Sequence, residues 1–263
     1  MIATCASGTL VSYTREGDGP GLVFVAGTGL TAQVNFGHLT GAFTGSRTVV
    51  LPDYAGSGET TDPGGPLTVG LLAGQISAAA RAAVPGPVDL VGYSLGAVIA
   101  AAVAATRPEL VRRLVLVAGW PSPDDARHQF AIDLWARLER ADHDLFKRFL
   151  QLTCFGAPFL SGLGEEGLAA LVDAGPPITP GMRRHIELDG TADISGLLPS
   201  ITAPTLVIGL TRDQVVPAER VRQLREGIAG SQYAEIDSGH LVVFEQPAEL
   251  VRLCQEFLLG EAA

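Results

Sequence analysis

Short runs of β-branched and apolar residues recur along the chain, each closed by Gly, Pro or Asp: residues 21–26, 47–52, 88–93, 113–118, 204–209 and 232–236. The middle runs lack the polar alternation of a half-exposed strand, which predicts parallel strands covered on both faces. Between them, apolar positions fall at helical spacing: Leu71, Leu72, Ile76 and Ala79 within 68–84, then 95–106, 217–228 and 247–259. Strands alternating with such helices predict a doubly wound, mostly parallel sheet with helices on both faces. Residues 9–14 and 21–26, flanking Glu16-Gly-Asp-Gly-Pro-Gly, read as a hairpin-like pair that adds an antiparallel edge.

The alternation stops near Trp120. Residues 126–149 and 165–173 carry helical periods, and no strand is predicted before residue 200. Gly/Pro clusters at 121–123, 175–177 and 198–200 punctuate this region, and none is long enough to be a flexible linker. The expected organisation is a core of residues 1–119 and 200–263 with a helical insertion, 120–199, over the sheet.

Composition narrows the classes. A hydrophobic fraction of 47% with 17% charged residues excludes a disordered chain, and 263 residues suffice to bury roughly three quarters of the unfolded surface. The net charge of −10 divides as about −1 over 1–118, −5 over 119–199 and −4 over 200–263. No basic face is left for a polyanion, so nucleic acid and anionic membrane are not expected partners. Cys5, Cys154 and Cys254 lack CxxC spacing and read as buried free thiols of a reducing compartment. No uninterrupted apolar span and no signal-peptide pattern is found, so a cytoplasmic protein is expected. Lys147 is the only lysine, and the abundance of Arg, Ala, Gly and Val points to a GC-rich bacterial genome. His and acidic residues are not clustered at ligand spacing, so neither a metal nor an organic cofactor is expected.

The strongest chemical signal is Val91-Gly92-Tyr93-Ser94-Leu95-Gly96, G-x-S-x-G where a predicted strand meets a predicted helix. A sharp strand-to-helix turn would project the Ser94 hydroxyl above the strand ends, with Gly92 and Gly96 avoiding collision with neighbouring backbone. The Leu95 N–H at the helix start would then face developing negative charge. A serine hydroxyl needs a base, and the base needs an acid to orient it. Of His38, His128, His143, His185 and His240, only His240 follows a predicted strand of the main body. Asp213 ends the strand before it, and Asp237 is the competing acid, read as a solvent-facing turn former. A second oxyanion donor is expected from Ala26-Gly27-Thr28-Gly29, with the Thr28 N–H as the candidate.

These motifs together resemble the α/β-hydrolase fold superfamily, over about residues 21–259. Ala26-Gly27-Thr28-Gly29 stands where many members carry a His-Gly oxyanion turn, and Asp53-Tyr-Ala-Gly56-Ser-Gly58 resembles their Asp-x-x-Gly-x-Gly loop. The loops around Asp213 and Ser238-Gly-His240 resemble the acid and base loops. The resemblance implies a Ser94–His240–Asp213 triad, an oxyanion hole of Thr28 and Leu95, and a helical cap between the sixth and seventh strands. Ala26 in place of His leaves open which side chain props the oxyanion turn.

Serine at the elbow argues against the epoxide hydrolase, dehalogenase and dienelactone hydrolase chemistries, which need Asp or Cys there. The expected activity is hydrolysis of a small, apolar or aromatic ester or thioester through an acyl-enzyme. Open alternatives are a lyase, cyclase or acyl-eliminating enzyme of bacterial natural-product biosynthesis, and a slow-turnover ligand-binding member. Gly29, Tyr93, Trp120 and Trp135 are candidate substrate contacts, with Phe130, Phe146, Phe149, Phe155 and Phe159 as further aromatics of the insertion. The partner is a small molecule, and monomer and homodimer remain equally open.

Overall fold

Eight strands hydrogen-bond into one sheet in the computed structural model, which describes residues 1–62 and 64–260. They are β1 (Ile2–Thr4), β2 (Leu10–Glu16), β3 (Gly21–Val25), β4 (Thr48–Pro52), β5 (Val88–Tyr93), β6 (Val111–Val117), β7 (Thr205–Leu210) and β8 (Gln232–Ile236). Their order is β1-β2-β4-β3-β5-β6-β7-β8, with β3 to β8 parallel and β1 and β2 antiparallel at one edge. This is the α/β-hydrolase fold.

Every residue of β3, β4, β5 and β7 is buried, which explains why their sequences do not alternate. The helices are α1 (Ala32–Phe36), α2 (Val69–Ala83), α3 (Leu95–Thr106), α4 (Ala126–Ala141), α5 (His143–Cys154), α6 (Ala157–Asp173), α7 (Pro180–Asp189), α8 (Ala218–Glu226), α9 (Val242–Glu245) and α10 (Pro247–Leu259). Leu72 and Ile76 of α2, Ile99 of α3 and Leu224 of α8 pack on one face of the sheet. Phe36 of α1 and Leu250, Cys254 and Leu258 of α10 pack on the other. Among the described residues, no helix is long and apolar enough to cross a membrane.

The expected hairpin between residues 9–14 and 21–26 does not form. β2 pairs with β1 and with β4, from Tyr13↔Pro52 to Glu16↔Val49, because both edges of β3 are taken by β4 and β5. Gly17, at φ 77°, carries the connection so close to the start of β4 that a Cβ there would lie 2.4 Å from the Arg47 carbonyl oxygen. A glycine-rich crossing stands where the turn residues suggested a hairpin.

Helices α4 to α7 lie between β6 and β7 in sequence, and α4, α5 and α7 share a small core of Ile132, Trp135, Phe146, Cys154, Met182 and Ile186. The helical period over 126–149 divides at Asp142, whose carboxylate accepts the Leu145 N–H and caps α5. The period over 165–173 is the second half of α6, which kinks at Gly164 (φ 67°). Helix α7 has no counterpart among the expected elements. Its signal was Thr179-Pro180: the threonine hydroxyl caps Met182 N–H, and proline occupies the first turn.

Candidate active site

Ser94 sits between β5 and α3 at φ 56°, ψ −124°, a left-handed conformation that non-glycine residues rarely adopt and that costs about 1–3 kcal/mol. The neighbouring backbone holds it there. A Cβ on Gly92 would lie 2.3 Å from the Gly96 carbonyl oxygen, and one on Gly96 would lie 2.1 Å from that of Val25. Both glycines of the motif are therefore required by close approach. The Ser94 N–H donates to the Val117 carbonyl at 2.9 Å, tying the turn to the end of β6.

The residues 146 positions apart in sequence meet here. Ser94 Oγ lies 3.0 Å from His240 Nε2, and His240 Nδ1 lies 2.6 Å from Asp213 Oδ2. Asp213 Oδ1 accepts the N–H groups of Val215 and Val216, both at 2.8 Å, which fixes the carboxylate and leaves Oδ2 for the imidazole. All three side chains are buried. Bonding at Nδ1 leaves the Nε2 lone pair facing the serine hydroxyl, the tautomer that can accept its proton. Tyr93, a candidate substrate contact, lines the cavity but also donates its hydroxyl to the His240 carbonyl at 2.8 Å, holding the histidine loop in place. The competing acid, Asp237, faces solvent and accepts from Arg212 Nε and Nη2 at 2.5 and 2.6 Å, which helps lower its carboxyl to about 2.

The turn Ala26-Gly27-Thr28-Gly29 is propped from four directions. Tyr54 Oη is 2.9 and 3.0 Å from the carbonyl oxygens of Ala26 and Gly27. Asn35 Oδ1 accepts the Gly27 N–H at 2.9 Å. From α7, His185 Nδ1 accepts the Gly29 N–H at 3.1 Å while Nε2 donates to the Ala55 carbonyl at 2.8 Å. Burial lowers that imidazole to about 4, so it is neutral and can accept and donate at once. Asp189, one helical turn further, accepts the Thr28 hydroxyl at 2.8 Å on Oδ2. These four side chains hold the turn where Ala26 offers no polar group of its own. Among the described residues, neither the Thr28 nor the Leu95 N–H donates to a protein acceptor.

Beside Ser94 and His240 opens a cavity that offers water-sized molecules about 110 Å³. Its walls are mostly apolar: Trp120, Ile132, Trp135, Phe146, Leu150 and Val215 take part, with Gly27 and Thr28 at the floor. Both expected tryptophans are present. Gly29 stands between the wall residues Thr28 and Leu30, and its amide donates to His185 Nδ1. Phe130 is exposed, and Phe155 and Phe159 stack on one another at 4.8 Å away from the cavity wall. His38 bonds the Val243 carbonyl and His143 is exposed, so neither belongs to the site. Among the described residues, no three His, Cys, Asp or Glu side chains gather as a metal site would require.

The wall also contains polar residues that sequence reasoning missed. His128 Nε2 is 2.9 Å from the Asp189 carbonyl, and burial lowers its imidazole. The Asp189 side chain is fully enclosed, and burial pushes its carboxyl up to about 8, opposed by the Thr28 hydrogen bond. The available signal was the four-residue spacing of His185 and Asp189, which puts both on one helix face.

A model of the alpha/beta hydrolase family matches residues 22–253. The chain belongs to that family. It is similar to the pyrrolizixenacetamide deacetylase of Xenorhabdus hominickii, 43% identical over 95% of each chain. The pimeloyl-[acyl-carrier protein] methyl ester esterase of Xanthomonas oryzae is 29% identical over 77% of this chain and 80% of its own. Among solved structures, MGS-M2, an alpha/beta hydrolase enzyme from a Medee basin deep-sea metagenome library, superposes with a TM-score of 0.90 at 19% identity, covering 100% of this chain and 98% of its own. The alpha/beta hydrolase relatives support hydrolase activity for this member.

Proposed function

We propose that the protein is a serine hydrolase that removes a short acyl group from a small, apolar amide or ester. The observation that carries this is the unbroken row Asp213–His240–Ser94, joined at 2.6 and 3.0 Å and ending beside an apolar cavity. The deacetylase relative, named for an acetamide, favours acetyl on nitrogen over the ester or thioester expected from sequence alone.

Ser94 Oγ attacks the substrate carbonyl carbon while His240 Nε2 takes its proton, and Asp213 stabilises the imidazolium that forms. The carbonyl oxygen, now an anion, is received by the N–H groups of Thr28 and Leu95, each worth roughly 10²- to 10³-fold in rate. His240 then returns the proton to the departing nitrogen or oxygen, and the bond from carbon to the leaving group breaks to give the acyl-serine. Water, deprotonated by the same imidazole, releases the carboxylic acid and restores Ser94. Helices α4 to α7 act as a cap whose apolar walls exclude water and select the substrate.

The test is a fluorophosphonate probe together with 4-nitrophenyl acetate and 4-nitroacetanilide. Labelling at Ser94 and loss of turnover in Ser94→Ala are expected, and a folded protein that resists labelling would overturn the proposal. Reaction in ¹⁸O-water should place one heavy oxygen in the released acetate. A product without it would instead favour elimination or cyclisation.

A further inference from the structure

The loop that carries His240 is held from the side of the helical insertion by a carboxyl group outside the triad. Glu245, the last residue of α9, accepts the Gly156 N–H on Oε1 at 3.0 Å and the Gly239 N–H on Oε2 at 3.2 Å. Gly239 immediately precedes His240, and Gly156 lies in the turn between α5 and α6. On the other side of His240, the Leu241 N–H donates at 3.0 Å to the carbonyl of Cys154, the last residue of α5. The backbone amides on both sides of the histidine are thus tied to one turn of the insertion.

The two backbones are in close contact. A Cβ on Gly239 would lie 2.3 Å from the Gly156 nitrogen, and one on Gly156 would lie 2.9 Å from Glu245 Oε2. Glycine at both positions lets a single side chain span the two amides. An ionised carboxyl group has two oxygens that accept, so both N–H groups are satisfied, whereas an amide side chain has one such oxygen and could satisfy one. The imidazole of His240 has to stand 2.6 Å from Asp213 and 3.0 Å from Ser94 Oγ at once, and those partners sit on two other loops. Tyr93 fixes the His240 carbonyl, and the Arg212 N–H fixes that of Ser238 at 3.0 Å. Glu245 adds the link to α5, whose Leu150, Gln151 and Cys154 belong to the cavity wall.

We infer that Glu245 is a positioning residue, which locks the histidine loop to the turn after α5 and so keeps His240 Nε2 aligned with the Ser94 hydroxyl. It acts through the Gly239 backbone. The inference deepens the acyl-transfer proposal and rests on it for the step in which His240 takes the serine proton. A misplacement of about 1 Å between reacting groups can cost roughly 10²-fold in rate. The effect of losing the carboxyl group should therefore fall on kcat, while the apolar walls continue to hold the substrate.

Three variants, each checked by thermal melting and assayed well below its transition, test this. Glu245→Ala should lower kcat on 4-nitrophenyl acetate by roughly 10- to 100-fold and leave KM within about threefold. It should also slow fluorophosphonate labelling of Ser94 by a similar factor. Glu245→Gln, which keeps one acceptor, should fall between Ala and the parent. Gly156→Ala retains the carboxyl group but crowds it from the side of α5, and should reproduce part of the loss. A merely structural role would lower the melting temperature and leave kcat of the folded variants unchanged, which would overturn the inference. Proton NMR gives a readout independent of turnover. The Nδ1 proton between His240 and Asp213 should resonate far downfield, be identified by its absence in His240→Ala, and shift or broaden in Glu245→Ala. If the parent neither turns over nor labels while this resonance responds, the acyl-transfer proposal fails and the positioning role stands. If the parent turns over and Glu245→Ala keeps both its rate and its resonance, the inference alone fails.

Discussion

Asp189→Asn should reverse the sign of its effect on stability as pH rises. The native carboxyl is held at about 8 against a reference of 3.8, with burial as the main cause and the Thr28 hydrogen bond opposing it. Its folded-state pKa is raised, so the native state binds more protons than the unfolded state between those values. Stability linked to this group is fully present below pH 3.8 and is lost progressively as pH rises through about 8. A shift of about four units corresponds to about 6 kcal/mol in full, at about 1.4 kcal/mol per unit, of which about 5 kcal/mol falls between pH 4 and pH 8. Asparagine carries no charge to desolvate, but its buried amide has an N–H₂ group to satisfy, at a cost of about 1–3 kcal/mol. The variant should therefore be less stable than the parent by about 1–3 kcal/mol at pH 4 and more stable by about 2–4 kcal/mol at pH 8. Comparing variant with parent at each pH cancels every other titrating group that the substitution leaves undisturbed. Urea unfolding at half-unit steps from pH 4 to pH 8 measures the difference, with the crossing expected between about pH 4.5 and 6. A stability difference that stays constant over this range would show that Asp189 is ionised throughout and refute the reasoning.

Three further outcomes are expected. Asp213→Asn should fold, because an amide oxygen can still accept the Val215 and Val216 N–H groups, yet lose at least roughly 10³-fold in kcat on 4-nitrophenyl acetate. Asp237→Asn, confined to a solvent-facing pair with Arg212, should leave kcat within about twofold, and a large loss would reassign the acid. His185→Phe strands the Gly29 N–H and the Ala55 carbonyl, so it should cost about 2–4 kcal/mol in unfolding free energy and lower kcat more than it raises KM. An unchanged melting temperature would show that water replaces the ring without loss.

Strands β3, β4, β5 and β7 are legible in the sequence because burial on both faces leaves mainly apolar runs without alternation, as in Gly21-Leu-Val-Phe-Val25, whereas β8, at the edge and largely exposed, is legible from its bounding turn residues. Strand β1, three residues long and exposed at two of them, has no such pattern. The pairing of β2 with β4 is illegible for a different reason: turn residues report a change of direction and not which strand receives the chain. Ser94, Asp213 and His240 could be found because each ends or follows a strand, where the topology forces convergence. Asp189 and His185 could not be found in that way. Their positions depend on how α7 docks on the loops after β3 and β4, and tertiary packing between helices has no local signature beyond a shared face.

The attachment of α7 to the turn after β3, the proposed oxyanion turn, bears on how such enzymes can be rebuilt. His185 and Asp189 connect the helical insertion to the backbone that would hold the reacting oxygen, so the two layers are not interchangeable modules. A chimera that kept the sheet and received foreign helices would inherit an intact nucleophile beside a slackened anion pocket. Transplanting substrate preference between relatives would therefore require moving α7 together with the loop after β3 as one piece.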